Sequence, residues 1–154
     1  MNVLVLVVGR VRGVLASAID EYERRAARYW KLEVVEVKAG GSDPSPEGVR
    51  AAEGERILAR VPTGYEVVAL TRVGKGMDSR KLAKYLEEHG VRATPGVAFV
   101  IGGAFGLDES VLARARRTLS ISAMTFPHEM ARLFLAEQLY RSGTIIRGEP
   151  YHKG

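Results

Sequence analysis

The stretch FVIGGAFGLDESVLARARRTLSISAMTFPH, residues 99–128, indicates how the chain folds. It begins with an apolar run typical of a buried strand, which ends at Gly102-Gly103, and a short helical segment follows. A second strand-like run then breaks into the loop from Ser122 to His128. Parallel strands end at the same edge of a sheet, so these two loops are predicted to lie side by side, where a small molecule can bind.

The segments on either side of this stretch repeat the alternation of strand and helix. Apolar runs and alternating runs predict strands at residues 2–8, 32–37, 66–71, 96–101 and 118–121. Helical spacing and capping residues predict helices at 14–30, 47–60, 78–88, 108–116 and 127–141, followed by a tail from 142 to 154. The fold class is therefore α/β, with a mostly parallel sheet of about five strands covered by helices on both faces. The length of 154 residues favours one domain, residues 1–154.

Composition excludes several classes of protein. The hydrophobic share of 46% and the charged share of 27% are those of a globular protein. The longest apolar run, residues 3–8, is too short to cross a bilayer, and no signal segment is apparent, so we expect a cytoplasmic protein without a membrane partner. The chain contains no cysteine and three scattered histidines, and we therefore expect no metal site.

Positive charge concentrates toward the end of the chain. The net charge of the chain is +5. The segment from residue 114 onward contains seven cationic and three acidic residues and has a net charge of +4. This excess has two readings of equal weight, an arginine-rich composition with solvated helix faces, or a site for a polyanion.

Three loops follow predicted strands at the edge where ligands bind parallel sheets. They are residues 70–77, 102–106 and 122–128. None has the glycine spacing of a dinucleotide-binding loop, and no Walker sequence is present, so an ordinary Rossmann cofactor site is disfavoured. The glycines at 102, 103 and 106 allow a ligand to approach the backbone, but a tight turn between strand and helix is the preferred explanation of a lone Gly-Gly pair.

Single residues in this region have structural explanations beside functional ones. Met124 and Phe126 are more often core residues than ligand contacts. His128 begins a helix, where the dipole disfavours a cation, and we favour a structural role for it. Arg132 and Arg141 face either nucleic acid or solvent. The tail PYHK, residues 150–153, combines groups that stack on bases and contact phosphate, although chain termini usually fray.

Taken together, three segments resemble a known family. IGGAFGL at 101–107, LSISAMTFPHEMARLFLAEQLYR at 119–141 and PYHK at 150–153 are similar to the ribosomal RNA large subunit methyltransferases H (RlmH). These belong to the SPOUT class, and the resemblance covers essentially the whole chain. It implies a SPOUT-type fold with a deep C-terminal trefoil knot. It also implies transfer of a methyl group from S-adenosylmethionine to N3 of a pseudouridine in a large-subunit rRNA hairpin, on assembled ribosomes, by a homodimer.

The resemblance also implies which residues form the site. The cofactor contacts would be Leu70, Gly102, Gly103, Ile121, Ser122, Ala123, Met124, Thr125, Phe126 and Pro127. The catalytic residues would be Arg141 on the last helix and Tyr151, His152 and Lys153 in the tail. The N3 proton must leave during transfer, either to His152 as a general base or with the resulting anion stabilised by Arg141 and Lys153. The sequence leaves both routes open.

Other functions fit the same sequence. A non-catalytic RNA- or ribosome-binding module of this fold is one, and it would bind no S-adenosylmethionine. A SPOUT methyltransferase acting on tRNA or on another RNA base is a second, and a flavodoxin-like nucleotide-binding protein is a third. Whether a tail serves the site of its own subunit or that of its partner is also left open.

Overall fold

A computed structural model describes residues 1–153, in which strands and helices alternate along the chain. The strands are β1 (Asn2–Val8), β2 (Lys31–Val37), β3 (Glu66–Gly76), β4 (Val97–Ile101) and β5 (Arg117–Ser120). The helices are α1 (Ala16–Ala26), α2 (Pro46–Ala59), α3 (Ser79–Val91), α4 (Glu109–Arg114) and α5 (His128–Arg147). Gly154, the last residue of the predicted domain and tail, lies outside the described residues.

The five strands form one sheet in which every neighbouring pair is parallel. The order is β2-β1-β4-β3-β5, so β4 lies between β1 and β3. The prediction of an α/β fold with a parallel sheet is confirmed. The knot that the resemblance implies stays a prediction. Among residues 1–153, no helix combines the length and the apolar character that crossing a membrane requires.

Both faces of the sheet are buried because successive strand side chains point to opposite sides. In β1, Val3, Val5 and Val7 belong to one apolar cluster, with residues of α1, α3 and α5. Leu4, Leu6 and Val8 belong to a second cluster on the opposite face, which includes Ile57 of α2 and Val111 of α4. The continuous apolar run of β1 is thus explained by burial on both sides.

The last helix is longer than the sequence predicts. We expected it to end near residue 141, but α5 continues to Arg147. The segment Ser142-Gly143-Thr144 consists of weak helix formers, yet all three residues are buried. Gly143 lies against the ring of Tyr29, so tertiary packing outweighs local propensity here. The helix ends at Gly148 with a φ of 68°, a left-handed conformation that suits glycine, and the tail shortens to residues 148–153.

Two other boundaries differ from the prediction. β3 extends to Gly76, through most of the segment predicted as a loop, and its pairing with β5 shifts register between Leu70 and Lys75. α1 ends at Ala26 rather than at residue 30. Trp30 then turns inward, and its indole N–H donates a hydrogen bond to the Leu139 carbonyl at 2.8 Å. This contact ties the end of the α1 segment to α5.

A buried polar group occupies the amino edge of the sheet, opposite the ligand-binding edge. Glu66 begins β3, and its carboxylate lies 2.6 Å from Nε2 of His89 and accepts a hydrogen bond from the Tyr85 hydroxyl. Nδ1 of His89 lies 2.9 Å from the Thr94 hydroxyl. Burial and the contact with Glu66 raise the pKa of Tyr85. Each polar atom in this group has a partner, which indicates a structural role.

Candidate active site

The outer part of β3 and the loops after β4 and β5 enclose a cleft at the carboxyl edge of the sheet. Its volume is about 1080 Å³, and Ile101, the last residue of β4, lines it. Of the ten residues predicted to contact a cofactor, all but Ala123 line it. Ala123 is exposed in the same loop. The loops that the sequence could only place at a common edge therefore share one cavity.

The first loop, residues 102–106, is a tight turn. The N–H of Gly106 donates to the Gly103 carbonyl at 3.1 Å, and the φ of Gly106 is 83°. A Cβ on Gly102 would lie 2.9 Å from the carbonyl carbon of Gly106, so a side chain cannot be accommodated there. Asp108 caps α4, and its hydrogen bond with Ser110 lowers the pKa of the Asp108 carboxyl. The two explanations of these glycines, a tight turn and a ligand cradle, are compatible.

A buried carboxylate lies directly behind this loop. Glu53 of α2 is buried, and its Oε2 accepts a hydrogen bond from the Gly40 N–H at 2.8 Å. Its Oε1 has no hydrogen-bond partner among the described residues. A Cβ on Gly103 would lie 3.1 Å from that oxygen. A side chain at 103 would therefore press on Val8 and on this carboxylate, and both would have to shift by a few tenths of an ångström.

The second loop, residues 121–127, presents apolar side chains and free backbone groups. Met124 is 72% exposed, so the expectation of a core position is wrong for this residue. Phe126 is half-buried, with its ring edge-on to Phe134 at 5.4 Å between centroids. The Ser120 hydroxyl lies 2.9 Å from the Ser122 carbonyl and 3.1 Å from the Arg72 carbonyl, which fixes the loop against β3.

His128 lies where the cleft meets the loop after β1. Its Nε2 is 3.3 Å from the Arg10 carbonyl and 3.5 Å from the Glu129 carboxylate. A Cβ on Gly9, whose φ is 95°, would approach the His128 ring to 3.1 Å. These contacts join the start of α5 to the end of β1, in keeping with the structural role favoured from the sequence.

Two of the four predicted catalytic residues, Arg141 and Tyr151, lie elsewhere, around one carboxylate of α5. Glu137 receives the Arg141 guanidinium at 2.7 Å and the Tyr151 hydroxyl at 2.9 Å. The Arg141 guanidinium also lies 5.0 Å from the centre of the Tyr151 ring. Burial, followed by the hydrogen bond to Glu137, raises the pKa of Tyr151. The phenol is therefore a hydrogen-bond donor here and not a base.

The other two tail residues differ in their surroundings. His152 is half-buried, and its Nδ1 has no hydrogen-bond partner among the described residues although it is shielded from solvent. Lys153 is exposed. His152 thus keeps one ring nitrogen uncommitted, in contrast to Tyr151 and Arg141.

In one chain, the cofactor residues and the tail residues do not meet. Ala131 is the last residue of α5 that lines the cleft, and Arg141 lies ten residues further along. At 1.5 Å per residue this separation is about 15 Å. A second groove, of about 680 Å³, covers part of the distance; it shares Leu119 and Ile121 with the cleft and reaches Glu137.

Most cations at the end of the chain are engaged within the protein. Arg132 is 8% exposed and binds Glu23 at 2.7 Å and Glu36 at 2.8 Å, so neither solvent nor nucleic acid faces it, and that expectation is wrong. Burial acts to lower the pKa of Arg132, but these two hydrogen bonds outweigh burial and raise it. The Arg117 guanidinium lies 4.5 Å from the Tyr85 ring centre. The positive charge of this segment is largely structural.

Two carboxylates near the candidate site were missed from the sequence. Glu137 was detectable, because it lies four residues before Arg141, the spacing of ion pairs on a helix. Glu53 carried no such signal, since its contact with Gly103 joins segments fifty residues apart.

Comparison with known proteins agrees with this geometry. A family model described as "Predicted SPOUT methyltransferase" matches residues 1–152. Ribosomal RNA large subunit methyltransferase H of Gemmatimonas aurantiaca is 54% identical over 155 residues, covering 99% of this chain and 100% of that protein. Proteins of the same name from Syntrophotalea carbinolica and Clostridium beijerinckii are 44% and 41% identical, each over 99% of this chain and over 99% and 100% of their own lengths.

A solved structure shares the fold at low sequence similarity. It is that of a probable methylase family protein from Haemophilus influenzae, with a TM-score of 0.56, 15% identity, and coverage of 99% of this chain and 71% of that one. Family, relatives and fold thus agree over the full chain, and the protein belongs to the SPOUT methyltransferases and, among them, to the ribosomal RNA large subunit methyltransferases H.

Proposed function

We propose that this methyltransferase transfers the methyl group of S-adenosylmethionine to N3 of a pseudouridine in large-subunit rRNA on assembled ribosomes. The observation that carries the proposal is the cleft that the outer part of β3 forms together with the loops after β4 and β5. The relatives with this full-length similarity are named as methyltransferases of large-subunit ribosomal RNA. A ribosomal substrate also implies a cytoplasmic location.

The cleft suits S-adenosylmethionine in its chemistry. Leu70, Ile121 and Phe126 offer apolar surface for the adenine ring. Among the described residues, the N–H groups of Ala123 and Thr125 donate no hydrogen bond within the protein, so they are available to a ligand. When bound, the cofactor supplies a methyl group activated on a positively charged sulfur. The residues of the cleft would orient it, and positioning contributes most of the rate in such a displacement.

The tail residues would assist removal of the proton from N3 of the pseudouridine. His152 is the stronger candidate for general base, because Tyr151 is held as a donor to Glu137. Arg141, fixed by the same carboxylate, and Lys153 would stabilise the anion that forms on the base. Replacing His152 by Gln should then lower kcat while leaving cofactor affinity unchanged.

We include a homodimer in the proposal, because a second chain would bring the tail residues to the cleft. Arg141 lies about 15 Å along α5 from the part of the helix that lines the cleft. Apolar side chains at the cleft, Val73 and Met124, are 77% and 72% exposed, as expected of a surface that a partner covers. The tail of one subunit would complete the cleft of the other.

The function is tested with ribosomes from a strain that lacks the modification. Purified protein and S-adenosylmethionine should add one methyl group, and mass spectrometry of the hairpin should identify N3-methylpseudouridine. A methyl group on another base or on tRNA would favour a different SPOUT activity. Ribosome binding without any cofactor binding by calorimetry would indicate a non-catalytic module.

Mixed dimers test the arrangement of the tail. One variant carries Gly103→Val in the cleft, and the other carries Tyr151→Ala and His152→Ala in the tail. If tails act on the partner's cleft, mixing two inactive variants restores about a quarter of the wild-type activity, because half the dimers are mixed and each has one intact site. If tails act within their own subunit, the mixture stays inactive. Circular dichroism confirms that each variant folds.

A further inference from the structure

Four exposed cations flank the cleft on both sides. Arg10 and Arg12 belong to the loop after β1, and Arg72 and Lys75 belong to the outer part of β3. Nothing in the resemblance or in the names of the relatives assigns them a role. The inference drawn from them rests on the proposed function, since it concerns the RNA that this site would act on.

Sheet register fixes the position of these cations. Val7 of β1 and Leu70 of β3 both pair with Ile101 of β4, which immediately precedes the glycine loop. Neighbouring strands are about 4.8 Å apart, so the backbones that follow β1 and Leu70 begin on either side of that loop and about 10 Å from one another. Arg72 itself lines the cleft. The two pairs therefore border the cleft from opposite sides.

The backbones that carry these side chains are held in place. The Arg10 carbonyl contacts His128 at 3.3 Å, and the Val11 N–H donates to the Glu36 carboxylate at 3.4 Å. Across the cleft, the Arg72 carbonyl accepts a hydrogen bond from the Ser120 hydroxyl at 3.1 Å. The backbone at Arg10 and at Arg72 is thus fixed beside the cleft, and the four side chains are exposed to solvent.

These cations are also available. Among residues 1–153, none of the four forms an ion pair with a carboxylate. By contrast, Arg132 and Arg141 in the last quarter of the chain are paired with glutamates. The positive charge that a polyanion can reach at this edge therefore comes from the ends of β1 and β3, and not from the basic last quarter that the sequence suggested.

The geometry points to a phosphate-binding site on both sides of the cleft. Arg10 and Arg12 on one side, and Arg72 and Lys75 on the other, would bind the backbone phosphates of the rRNA strand that flank the target nucleotide. A base that undergoes chemistry must leave its stack to enter a pocket, and phosphate contacts fix the strand from which it is extruded. Arginine forks suit phosphate because they donate two parallel hydrogen bonds.

The test compares three double variants that each remove two positive charges. Two of them, R10Q/R12Q and R72Q/K75Q, each remove one side of the site. The control, R60Q/R92Q, removes two exposed cations at the ends of α2 and α3, which precede strands and so lie toward the opposite edge of the sheet. Affinity for the rRNA hairpin and for ribosomes is measured between 0.05 and 0.3 M salt, and S-adenosylmethionine affinity by calorimetry.

Counterion release gives the expected size. Each phosphate contact with a single strand contributes about 0.7 to the magnitude of the slope of log K against log salt concentration. Each site variant removes two contacts, so the magnitude of its slope should fall by about 1.4. At about 0.1 M salt this corresponds to a loss of roughly 25-fold in RNA affinity. The control should keep the wild-type slope, and cofactor affinity should stay unchanged in the control and in R10Q/R12Q, whose residues do not line the cleft.

Two results would overturn the site. One is a salt slope for R10Q/R12Q and R72Q/K75Q equal to that of the control. The other is a loss of S-adenosylmethionine affinity with RNA affinity unchanged, which would assign these cations to the carboxylate of the cofactor. Failure of the wild-type protein to bind rRNA or to transfer a methyl group would instead refute the proposed function, so the two failures are distinguishable.

Discussion

Replacing Arg132 by Met should destabilise the protein strongly. The guanidinium is 8% exposed and makes hydrogen bonds to both oxygens of Glu23, at 2.7 and 3.1 Å, and to Glu36 at 2.8 Å. Methionine preserves much of the packing but leaves the largely buried Glu23 carboxylate without its partner. Leaving a buried charge uncompensated costs about 3–5 kcal/mol, and we expect the lower end, about 3 kcal/mol, because Glu36 keeps access to solvent.

Urea unfolding at fixed protein concentration measures this effect. Arg24→Met is the matched control, because Arg24 forms an exposed pair with Glu21 at 3.2 Å, and it should cost less than about 0.5 kcal/mol. The double variant E23Q/R132M removes both buried charges and should recover at least about 1.5 kcal/mol relative to the sum of the single variants. Equal costs for Arg132→Met and Arg24→Met would refute the buried-pair explanation.

Two further predictions concern α5 and the segment after it. Gly143→Ala should destabilise the protein by about 1–3 kcal/mol, because its Cβ would lie 2.3 Å from the Tyr29 ring. In Gly90→Ala of α3 the new Cβ would meet only Met1, at 4.0 Å, so this variant should be stabilised by up to about 1 kcal/mol. Thermal unfolding measures both changes, and changes of the same sign would contradict the packing explanation. The hydrogen bond to Glu149 raises the pKa of Tyr29 to about 12, so this contact stabilises the fold below pH 10 and is lost as the pH rises through about 12. Glu149→Gln should return the phenol toward its ordinary pKa, measured by ultraviolet titration against Tyr29→Phe, and an unchanged pKa would show that Glu149 is not the cause.

The sequence allowed the sheet to be predicted well, because its strands carry their own signal. The runs at residues 2–8 and 96–101 are apolar throughout, and burial on both faces of a parallel sheet requires that pattern. The outer part of β3 could not be found in this way. Residues 72–76 contain two cations and two glycines around the single apolar Val73, so they carry no strand pattern, and Lys75 and Gly76 are held by pairing with β5.

The positions of the candidate site residues could be predicted where sequence order determines geometry, and could not where distant contacts determine it. The loops after β4 and β5 had to share an edge, so their meeting in one cleft followed from the fold class. The burial of Arg132 could not be predicted, because its partners Glu23 and Glu36 lie about a hundred residues away in the sequence. The length of α5 was missed for the same reason, since Tyr29 stabilises Gly143 across a similar separation.

Because all five strands run in the same direction, the two edges of the sheet differ in which substitutions and labels they can accept. The cleft and its flanking cations occupy the carboxyl edge, while Glu66, His89 and the satisfied polar group around them occupy the amino edge. Stabilising substitutions, labels or a surface attachment can therefore be placed at the amino edge without obstructing access of RNA. For single-molecule work, a dye near Arg60 or Arg92 would report on ribosome encounter while leaving the cleft open.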